Sequence, residues 1–404
     1  MGSIIRIASL FSGCGGLDLG FAGGFNFHDR DYETLPTHVV YANDFDHDAV
    51  TCFNANMPKF DEGVICHEGD IRDVNEADVP EFDLLLAGFP CQPFSNAGLR
   101  GGVNDKYNRG TLFEECERIL GGQLARGHKP SAFVFENVRG ILSSKMDDGT
   151  PVVEEIEKRM RSLGYHVGHR LVRASDYGVP QNRFRVLIIG VDANRYEPFS
   201  FDELDSVLDD YGIPSQKAGN HEELLLGSLL LGLSKANNRD DEYWPYTEAT
   251  QTMINQIGPC EHGAEAIKLF ENGFKIGSLP EVVFEGRSWK NIPPELLRPR
   301  FRRIYDDPKK YHAPKFFRRF AFGEINGTIT ASAQPENCGI THPIENRRYT
   351  VSEIASIQSF PLNYNFKCVP LQSRYKVIGN AVPPVLGWVI GKALTKHLEE
   401  AFNE

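Results

Sequence analysis

The chain has 404 residues, 41% of them hydrophobic and 24% charged, which is typical of a globular protein with a large core. Its longest strongly apolar stretch, residues 224–233, is too short to cross a bilayer, and no signal-peptide pattern opens the chain. The eight cysteines are scattered without a C-x-x-C pair, which argues against a zinc site and a disulfide framework. We therefore expect a protein of a reducing compartment that binds no metal and no membrane.

The net charge of −12 alone would argue against a nucleic-acid partner, but the charge is unevenly distributed. Between Arg287 and Arg319, eleven Lys or Arg residues stand against three acids, and aromatic residues are interleaved with them. A basic, aromatic stripe of this kind is expected where a protein binds a phosphate backbone. A solvated basic loop would show the same pattern.

Strand-like and helix-like segments alternate over the first half of the chain. Apolar segments predict strands at 4–10, 38–43, 82–87, 132–136, 165–172 and 185–191. Amphipathic stretches predict helices near 46–55, 111–121 and 152–163. Near-continuous apolar strands separated by helices indicate an α/β fold with a mostly parallel sheet covered on both faces. Ligands of such sheets bind at the carboxyl ends of the strands.

The periodic pattern fades after about residue 195, where Gly, Pro and basic residues become more frequent. Order returns at 346–361, where Thr350 or Ser352 could cap a helix, and a last amphipathic helix begins near Val382. We expect this last part to pack back on the first domain. The predicted division is a catalytic and cofactor-binding domain of residues 1–194 completed by 344–404, and a second, irregular domain of residues 195–343.

The segment "LFSGCGGLDLGF" (10–21) follows the first predicted strand and leads into a helix. Its glycines would let the backbone turn tightly and approach a ligand, and the N-terminus of the next helix offers an anion site. The spacing is not G-x-G-x-x-G, because Asp18 stands where the third glycine should be, so a dinucleotide site is disfavoured. A glycine turn needed only for packing is the alternative.

Acidic residues follow two more predicted strands. Asp44 could accept hydrogen bonds from two ribose hydroxyls, and Phe45 beside it could lie against an adenine. Asp70, followed by Ile71, could meet the adenine amino group. Helix capping by the two acids and core packing by Phe45 are the alternatives.

Three further polar groups stand at strand ends. Cys91 follows an apolar strand in "GFPCQPFS", held between prolines, whereas a structural cysteine would lie inside the strand. Glu136 closes another apolar run, where a partly buried carboxyl can hold a proton near neutrality or simply pair with an arginine. Arg183 and Arg185 precede the next strand and lie on the same side if the chain is extended, as suits a planar, acceptor-rich partner.

Together these motifs resemble those of the DNA cytosine-5 methyltransferases, in the family's order and over about 250 residues. "FSGCGG" is similar to the family's cofactor loop and "GFPCQPFS" to its nucleophile motif. They are followed by "ENV", "QNRFR", "RRYTVSEIASIQSFP" and "IGNAVPP". The resemblance implies a Rossmann-like S-adenosylmethionine-dependent methyltransferase fold with a smaller target-recognition domain.

The resemblance also implies where the cofactor would lie. S-adenosylmethionine, with S-adenosylhomocysteine as its product, would occupy the strand ends. Its predicted contacts are Phe11, Gly13, Gly15, Gly16, Asp44, Phe45, Asp70, Ile71, Pro90, Asn380 and Val382. The sequence departs from the family pattern in two ways: a charged loop (28–37) lengthens the segment before Asp44, and glutamate is commoner than aspartate at that position.

The reaction implied is methyl transfer to carbon-5 of cytosine. Cys91 would add to carbon-6 and make carbon-5 electron-rich, while Glu136 at N3 and Arg185 at O2 would neutralise developing charge, with support from Arg183. The cytosine must first be flipped out of the duplex. Residues 95–109 resemble the family's mobile loop, and Thr328 in "GTITAS" is a candidate phosphate contact. With the basic stripe, the predicted DNA-binding residues are Ser95, Arg109, Thr328, Arg302, Arg303, Arg318 and Arg319.

Two other functions are weighed against this hypothesis. One is cytosine-5 methylation of transfer RNA, against which the long basic variable region favours duplex DNA. The other is a catalytically silent DNA-binding protein, which the presence of Cys91, Glu136 and Arg185 disfavours. By family analogy we expect a bacterial restriction-modification setting, with a cognate endonuclease as functional partner and a monomeric enzyme in the cytoplasm, associated with the nucleoid when bound to DNA.

Overall fold

The computed structural model describes residues 4–90, 112–234, 236, 240–273, 284–307 and 316–400. Within these residues the strands are β1 (Ile5–Leu10), β2 (Phe25–Phe27), β3 (Arg30–Tyr32), β4 (Thr37–Asp44), β5 (Cys66–Glu68), β6 (Leu84–Ala87), β7 (Ala132–Val138), β8 (Tyr165–Arg173), β9 (Gln181–Asn182), β10 (Phe184–Asp192) and β11 (Asn326–Gly327). The helices are α1 (Gly16–Ala22), α2 (His47–Asn56), α3 (Leu112–Ala125), α4 (Val152–Ser162), α5 (Asp202–Tyr211), α6 (Leu226–Ser234), α7 (Glu248–Ile257), α8 (Gly263–Glu271), α9 (Pro299–Asp306), α10 (Val351–Ile357), α11 (Leu371–Asn380) and α12 (Pro384–Glu400).

A seven-stranded sheet in the order β5-β4-β1-β6-β7-β10-β8 forms the centre of the molecule. All neighbouring strands run parallel except β10, which is antiparallel to both β7 and β8. The predicted α/β fold with a mostly parallel sheet is therefore confirmed. Because β10 runs against β7, its first residues lie beside the last residues of β7, with Arg185 opposite Val138.

Both faces of the sheet are covered, as near-continuous apolar strands require. In β6, Leu84 and Leu86 pack on one face with α1, α2 and α12, while Leu85 packs on the other face with α3 and α4. The alternation follows from the two-residue period of a strand. Strand β6 thus lies between the two hydrophobic clusters that cover the faces of the sheet.

The six predicted strands and the helices α2, α3 and α4 are all present. In the predicted charged loop at 28–37, residues 28–32 form the turn and second strand of a β2–β3 hairpin, whose Tyr32 packs edge-on against Trp388 of α12 at 5.2 Å. Helix α10 is capped by Thr350 and not by Ser352, since the Thr350 hydroxyl and the Glu353 side chain form a capping box. The helix ends at Ile357, before the predicted end at Pro361.

Residues 195–343 contain more helices than their sequence pattern predicted. Helices α5 and α6 contribute to the core beneath the sheet, and α5 packs on α12. Helices α7 and α9 instead share a separate hydrophobic cluster, formed by Met253, Ile254, Ile257, Trp289, Ile292, Leu297, Phe301 and Phe317. The boundaries of the second domain stay a prediction.

One helical stretch in the described part of the chain, Leu371–Glu399, is long and apolar enough to cross a membrane. However, 89% of its most apolar window is buried inside the protein. Helix α12, which makes up most of this stretch, packs across α1. Burial of this kind is typical of a core helix.

Helices α1 and α12 cross at a pair of glycines. A Cβ added at Gly20 would lie 2.6 Å from the Cα of Gly387, which is closer than real Cβ atoms approach backbone. The close approach holds the glycine-rich loop after β1 (residues 11–15, the glycine loop) against the segment after α11 (residues 381–383).

We expect Gly20→Ala to destabilise the protein by about 1–3 kcal/mol, because the backbone of α12 would have to move. Gly121→Ala on α3 is the matched control, since nothing lies within 4 Å of its added Cβ. The control should leave the free energy of unfolding unchanged or raise it by up to about 1 kcal/mol. Denaturant unfolding measures both, and equal behaviour of the two variants would contradict the close crossing.

Candidate active site

A cavity of about 620 Å³ lies at the carboxyl ends of β1, β4, β6 and β7, where the sheet topology predicts a ligand. Segments distant in sequence contribute to its wall: the loop after β1, the start of β10, the segment around β11, and the end of α11. Among the predicted site residues, those that line it are Phe11, Gly13, Asp44, Phe45, Pro90, Glu136, Arg183, Arg185, Thr328, Asn380 and Val382.

The loop after β1 is held by Asp44. One carboxylate oxygen of Asp44 accepts the Gly13 N–H at 2.8 Å, and the other accepts the Asp46 N–H at 2.9 Å. Gly13 has a φ of 57°, in the left-handed region that favours glycine. Burial raises the pKa of Asp44 despite these two bonds. Each oxygen keeps a second lone pair, so the carboxylate can still accept a hydroxyl.

Phe45 is 66% exposed beside the cavity, and it is not core packing as the alternative supposed. An exposed ring at a cavity edge can lie against a flat ligand.

For Asp70, in contrast, the alternative of helix capping is what the structure shows. Its carboxylate caps the turn after β5 and pairs with Arg72, which lowers the pKa of Asp70.

Four predicted cofactor contacts do not line the cavity: Gly15, Gly16, Asp70 and Ile71. Ile71 is buried in the core on the α3 side of the sheet. Gly15 and Gly16 are packing positions, because a Cβ at Gly15 would meet Phe53 and Met57 and one at Gly16 would meet the Val382 carbonyl. The tight fit at Gly16 joins the glycine loop to the segment after α11. A direct cofactor contact at these four residues stays a prediction.

Glu136 and Arg185 form a buried ion pair facing the cavity. Glu136 Oε1 lies 2.5 Å from Arg185 Nε, and each residue is 8% exposed. The pair exists because β10 reverses direction beside β7. Next to it, Asn137 donates to the Phe89 carbonyl at 3.0 Å, which fixes the end of the strand that leads to Pro90.

Arg183 acts as a structural support. It is 1% exposed, and its guanidinium donates to the carbonyls of Ile329 at 2.8 Å and Gly379 at 3.0 Å. Burial, and then the neighbouring charge of Arg185, lower the pKa of Arg183 well below its usual range. The contacts fit the predicted supporting role, since they tie β10 to two other cavity-lining segments.

Thr328 lies in the cavity wall next to the short β9–β11 ladder. Its hydroxyl donates to the Asn182 carbonyl at 2.9 Å, and the following Ile329 N–H donates to the Gln181 side chain at 3.0 Å. These two hydrogen bonds therefore hold the segment QNRFR (181–185) against the segment GTITAS (327–332). Contact of Thr328 with a phosphate stays a prediction.

The basic stripe divides into exposed and buried residues. Arg302 and Arg303 are exposed on α9, and Arg318 pairs with Glu324 at 2.5 Å. Arg319 was predicted to bind DNA, but it is 1% exposed and donates to the Asn346 side chain at 2.7 Å. That assignment is therefore corrected: Arg319 holds the chain together inside the protein and presents no surface to a phosphate.

The predicted Cys91, Ser95 and Arg109 lie outside the described residues. Pro90, directly before Cys91, is in the cavity wall. The cavity residues that sequence reasoning missed include Asp18 and Lys376, the second of which pairs with Asp46 across the cavity edge. Asp18 carried a signal, because it interrupts the glycine pattern, whereas nothing local marks Lys376.

The fold is shared with two methyltransferases of solved structure. The chain is similar to a putative DNA modification methyltransferase from an Escherichia coli prophage, with a TM-score of 0.59, 20% identity, and 98% and 99% of the two chains covered. It is also similar to the Dnmt2 methyltransferase of S. pombe, with a TM-score of 0.56, 17% identity, and 97% and 99% covered. The fold is the Rossmann-like fold of S-adenosylmethionine-dependent methyltransferases.

Sequence comparison narrows the class. The family model of C-5 cytosine-specific DNA methylases matches residues 5–396, so the chain belongs to that family. It is 38% identical to the type II methyltransferase M.BanI of Aneurinibacillus aneurinilyticus, with 99% of this chain and 98% of the relative covered. It is 31% identical to M.NgoPII of Neisseria gonorrhoeae, with 98% and 96% covered. The predicted DNA cytosine-5 methyltransferase is confirmed, and the transfer-RNA and silent-binder alternatives are not supported.

We expect Arg183→Lys to lower the free energy of unfolding by about 2–4 kcal/mol. Lysine keeps the charge but loses the planar fork, which leaves buried carbonyls without partners. Arg303→Lys, on the exposed face of α9, is the control and should change stability by less than about 0.5 kcal/mol. Denaturant unfolding tests both, and a stable Arg183→Lys protein would contradict the supporting role.

Proposed function

We propose that the enzyme recognises a specific duplex sequence and methylates carbon-5 of one flipped-out cytosine within it, as the modification enzyme of a bacterial restriction-modification system. One observation carries the proposal. The Glu136–Arg185 pair, the strand end leading to Pro90, and the loop held by Asp44 all border a single cavity. A base and a methyl donor could therefore meet there.

The residues present fit S-adenosylmethionine, because the cavity combines the exposed ring of Phe45 with the Asp44 carboxylate, which keeps free lone pairs. We propose that Asp44 accepts the ribose hydroxyls, that Phe45 covers the adenine, and that Phe11 and Gly13 border the methionine part. Asn380 and Val382 would complete the wall. When bound, the cofactor supplies a methyl group activated on a sulfonium.

The chain's own residues would then activate the cytosine. Cys91 adds as a thiolate to carbon-6, so that carbon-5 becomes nucleophilic and can accept the methyl group. Glu136 and Arg185 lie 2.5 Å apart beside the cavity; the protonated carboxyl of Glu136 would donate to N3 and the Arg185 guanidinium to O2, so that the negative charge developing on the ring is neutralised. Removal of the carbon-5 proton then releases Cys91.

The remaining partners follow from the substrate. We propose that residues 195–343 read the DNA sequence and that Thr328, Arg302, Arg303 and Arg318 contact its backbone, together with Ser95 and Arg109. The exposed arginines on α9 support this proposal. The enzyme would act as a monomer in the bacterial cytoplasm, with a cognate endonuclease as its functional partner.

Bisulfite sequencing of DNA from cells that express the enzyme first gives the target sequence. Duplex DNA with 5-fluorocytosine at that target position should then trap a covalent complex, because fluorine cannot leave as a proton does. The adduct should form with the wild type and not with Cys91→Ala. An adduct that persists in Cys91→Ala would overturn the assigned nucleophile.

Glu136→Gln should slow methylation by about 10²–10⁴-fold.

Arg302→Gln and Arg303→Gln should each weaken DNA binding at low salt and reduce the salt dependence, because each removes one phosphate contact. The slope of log K against log[salt] should fall by about 0.9 per residue. Lys158→Gln on α4, a highly exposed lysine outside the stripe, is the control and should leave the slope unchanged. Fluorescence anisotropy at several salt concentrations measures it, and unchanged slopes in all three variants would rule out α9 as a DNA contact.

A further inference from the structure

Asp18, in the first turn of α1, is a buried carboxyl that the reaction described above does not use. It is 0% exposed and lies in the wall of the cavity. Neither of its carboxylate oxygens has a hydrogen-bond partner within the described part of the chain. Burying a charge without a partner is costly, so such a group in a native protein requires an explanation.

Among the described residues, the groups that act most strongly on Asp18 carry no positive charge. They are Ser9 on β1, Asp44 on β4 and Asp61 after α2, and the charge of Asp18 also acts on Cys66 on β5 and Tyr364 after α10. Burial raises the pKa of Asp18 to about 7, and the charges of Asp61 and Asp44 add to this effect, while the nearby Ser9 hydroxyl opposes it. Asp61 already faces a ring nitrogen of His38 at 2.5 Å. Within the described residues, the ionised form of Asp18 therefore has no counter-charge.

Each of the other carboxylates that line the cavity faces a positive charge or backbone N–H groups within the described residues. Glu136 pairs with Arg185, Asp46 pairs with Lys376, and Asp44 accepts two backbone N–H groups. Of the carboxylates that the described part of the chain places in the cavity wall, Asp18 alone has neither kind of partner, and it lies in the helix that follows the loop proposed to border the methionine part. A cationic group in the cavity would be attracted to it strongly, because the intervening protein screens charge poorly.

We propose that Asp18 is the counter-charge for the cationic amino-acid end of the cofactor, acting through the cavity wall; this rests on the proposed use of S-adenosylmethionine. Asp18 is thus a positioning residue that selects ligands carrying an ammonium or sulfonium group. A cation nearby favours the ionised carboxyl and lowers its pKa, so that binding releases a proton. Affinity for the cofactor should therefore rise as the pH increases through about 7.

Calorimetry on the full chain tests the proposal. S-adenosylmethionine and S-adenosylhomocysteine are titrated at pH 7 in two buffers of different ionisation enthalpy. Because a group with a pKa of about 7 is half protonated at this pH, about 0.5 proton should leave per ligand bound. 5′-Methylthioadenosine keeps the adenosine and lacks the charged end, so it should bind without releasing a proton.

Asp18→Asn keeps the shape and removes the charge. It should bind the charged ligands about 10- to 100-fold more weakly, without proton release, and bind 5′-methylthioadenosine as the wild type does. Loss confined to S-adenosylmethionine would assign the sulfonium, and loss with both charged ligands would assign the ammonium; either supports the proposal.

Equal weakening of all three ligands would show a merely structural role and overturn the proposal, as would unchanged binding. If Asp18→Asn does not fold, proton release by the wild type decides alone: its absence overturns the proposal. A wild type that binds no S-adenosylmethionine would overturn the proposed cofactor itself, which is a distinguishable result.

Discussion

The crossing of α1 and α12 at Gly20 and Gly387 is the contact on which the cavity depends. It seats the loop after β1 against the segment after α11, where a Cβ at Gly16 would strike the Val382 carbonyl. The Tyr364 hydroxyl also donates to the Cys14 carbonyl. Because these residues come from opposite ends of the chain, the proposed cofactor site is a product of tertiary packing and of no single motif.

A second constraint acts at the other side of the cavity. In an all-parallel sheet, Arg185 would stand at the opposite edge from Glu136, since the start of a parallel strand lies far from the end of its neighbour. The reversal of β10 places the two side chains 2.5 Å apart. One change of strand direction therefore joins two motifs that are separated by about fifty residues of sequence.

The sequence predicted the fold well, because strands buried on both faces leave a strong local signal, as in Leu84–Ala87. Most of the predicted cofactor-binding residues also line the cavity. Prediction from the sequence failed where partners are distant: Arg319 resembles the exposed arginines around it, and its burial depends on Pro343 and Asn346. Asp70 and Ile71 follow a strand as Asp44 does, but they are not among the residues that line the cavity, and their contact with the cofactor stays a prediction. The short β2–β3 hairpin carried too little alternation to predict.

The bridging role of Arg183 has a consequence for synthesis of the enzyme. Arg183 is synthesised long before Ile329 and Gly379, whose carbonyls accept its hydrogen bonds. Its guanidinium cannot form these buried contacts until both residues have emerged from the ribosome. The parts of the cavity wall around Ile329 and Gly379 are absent until then. A chain that terminates prematurely therefore exposes apolar surface that α10, α11 and α12 would cover and leaves the Arg183 guanidinium without its carbonyl partners, which makes it a target for chaperones and proteases.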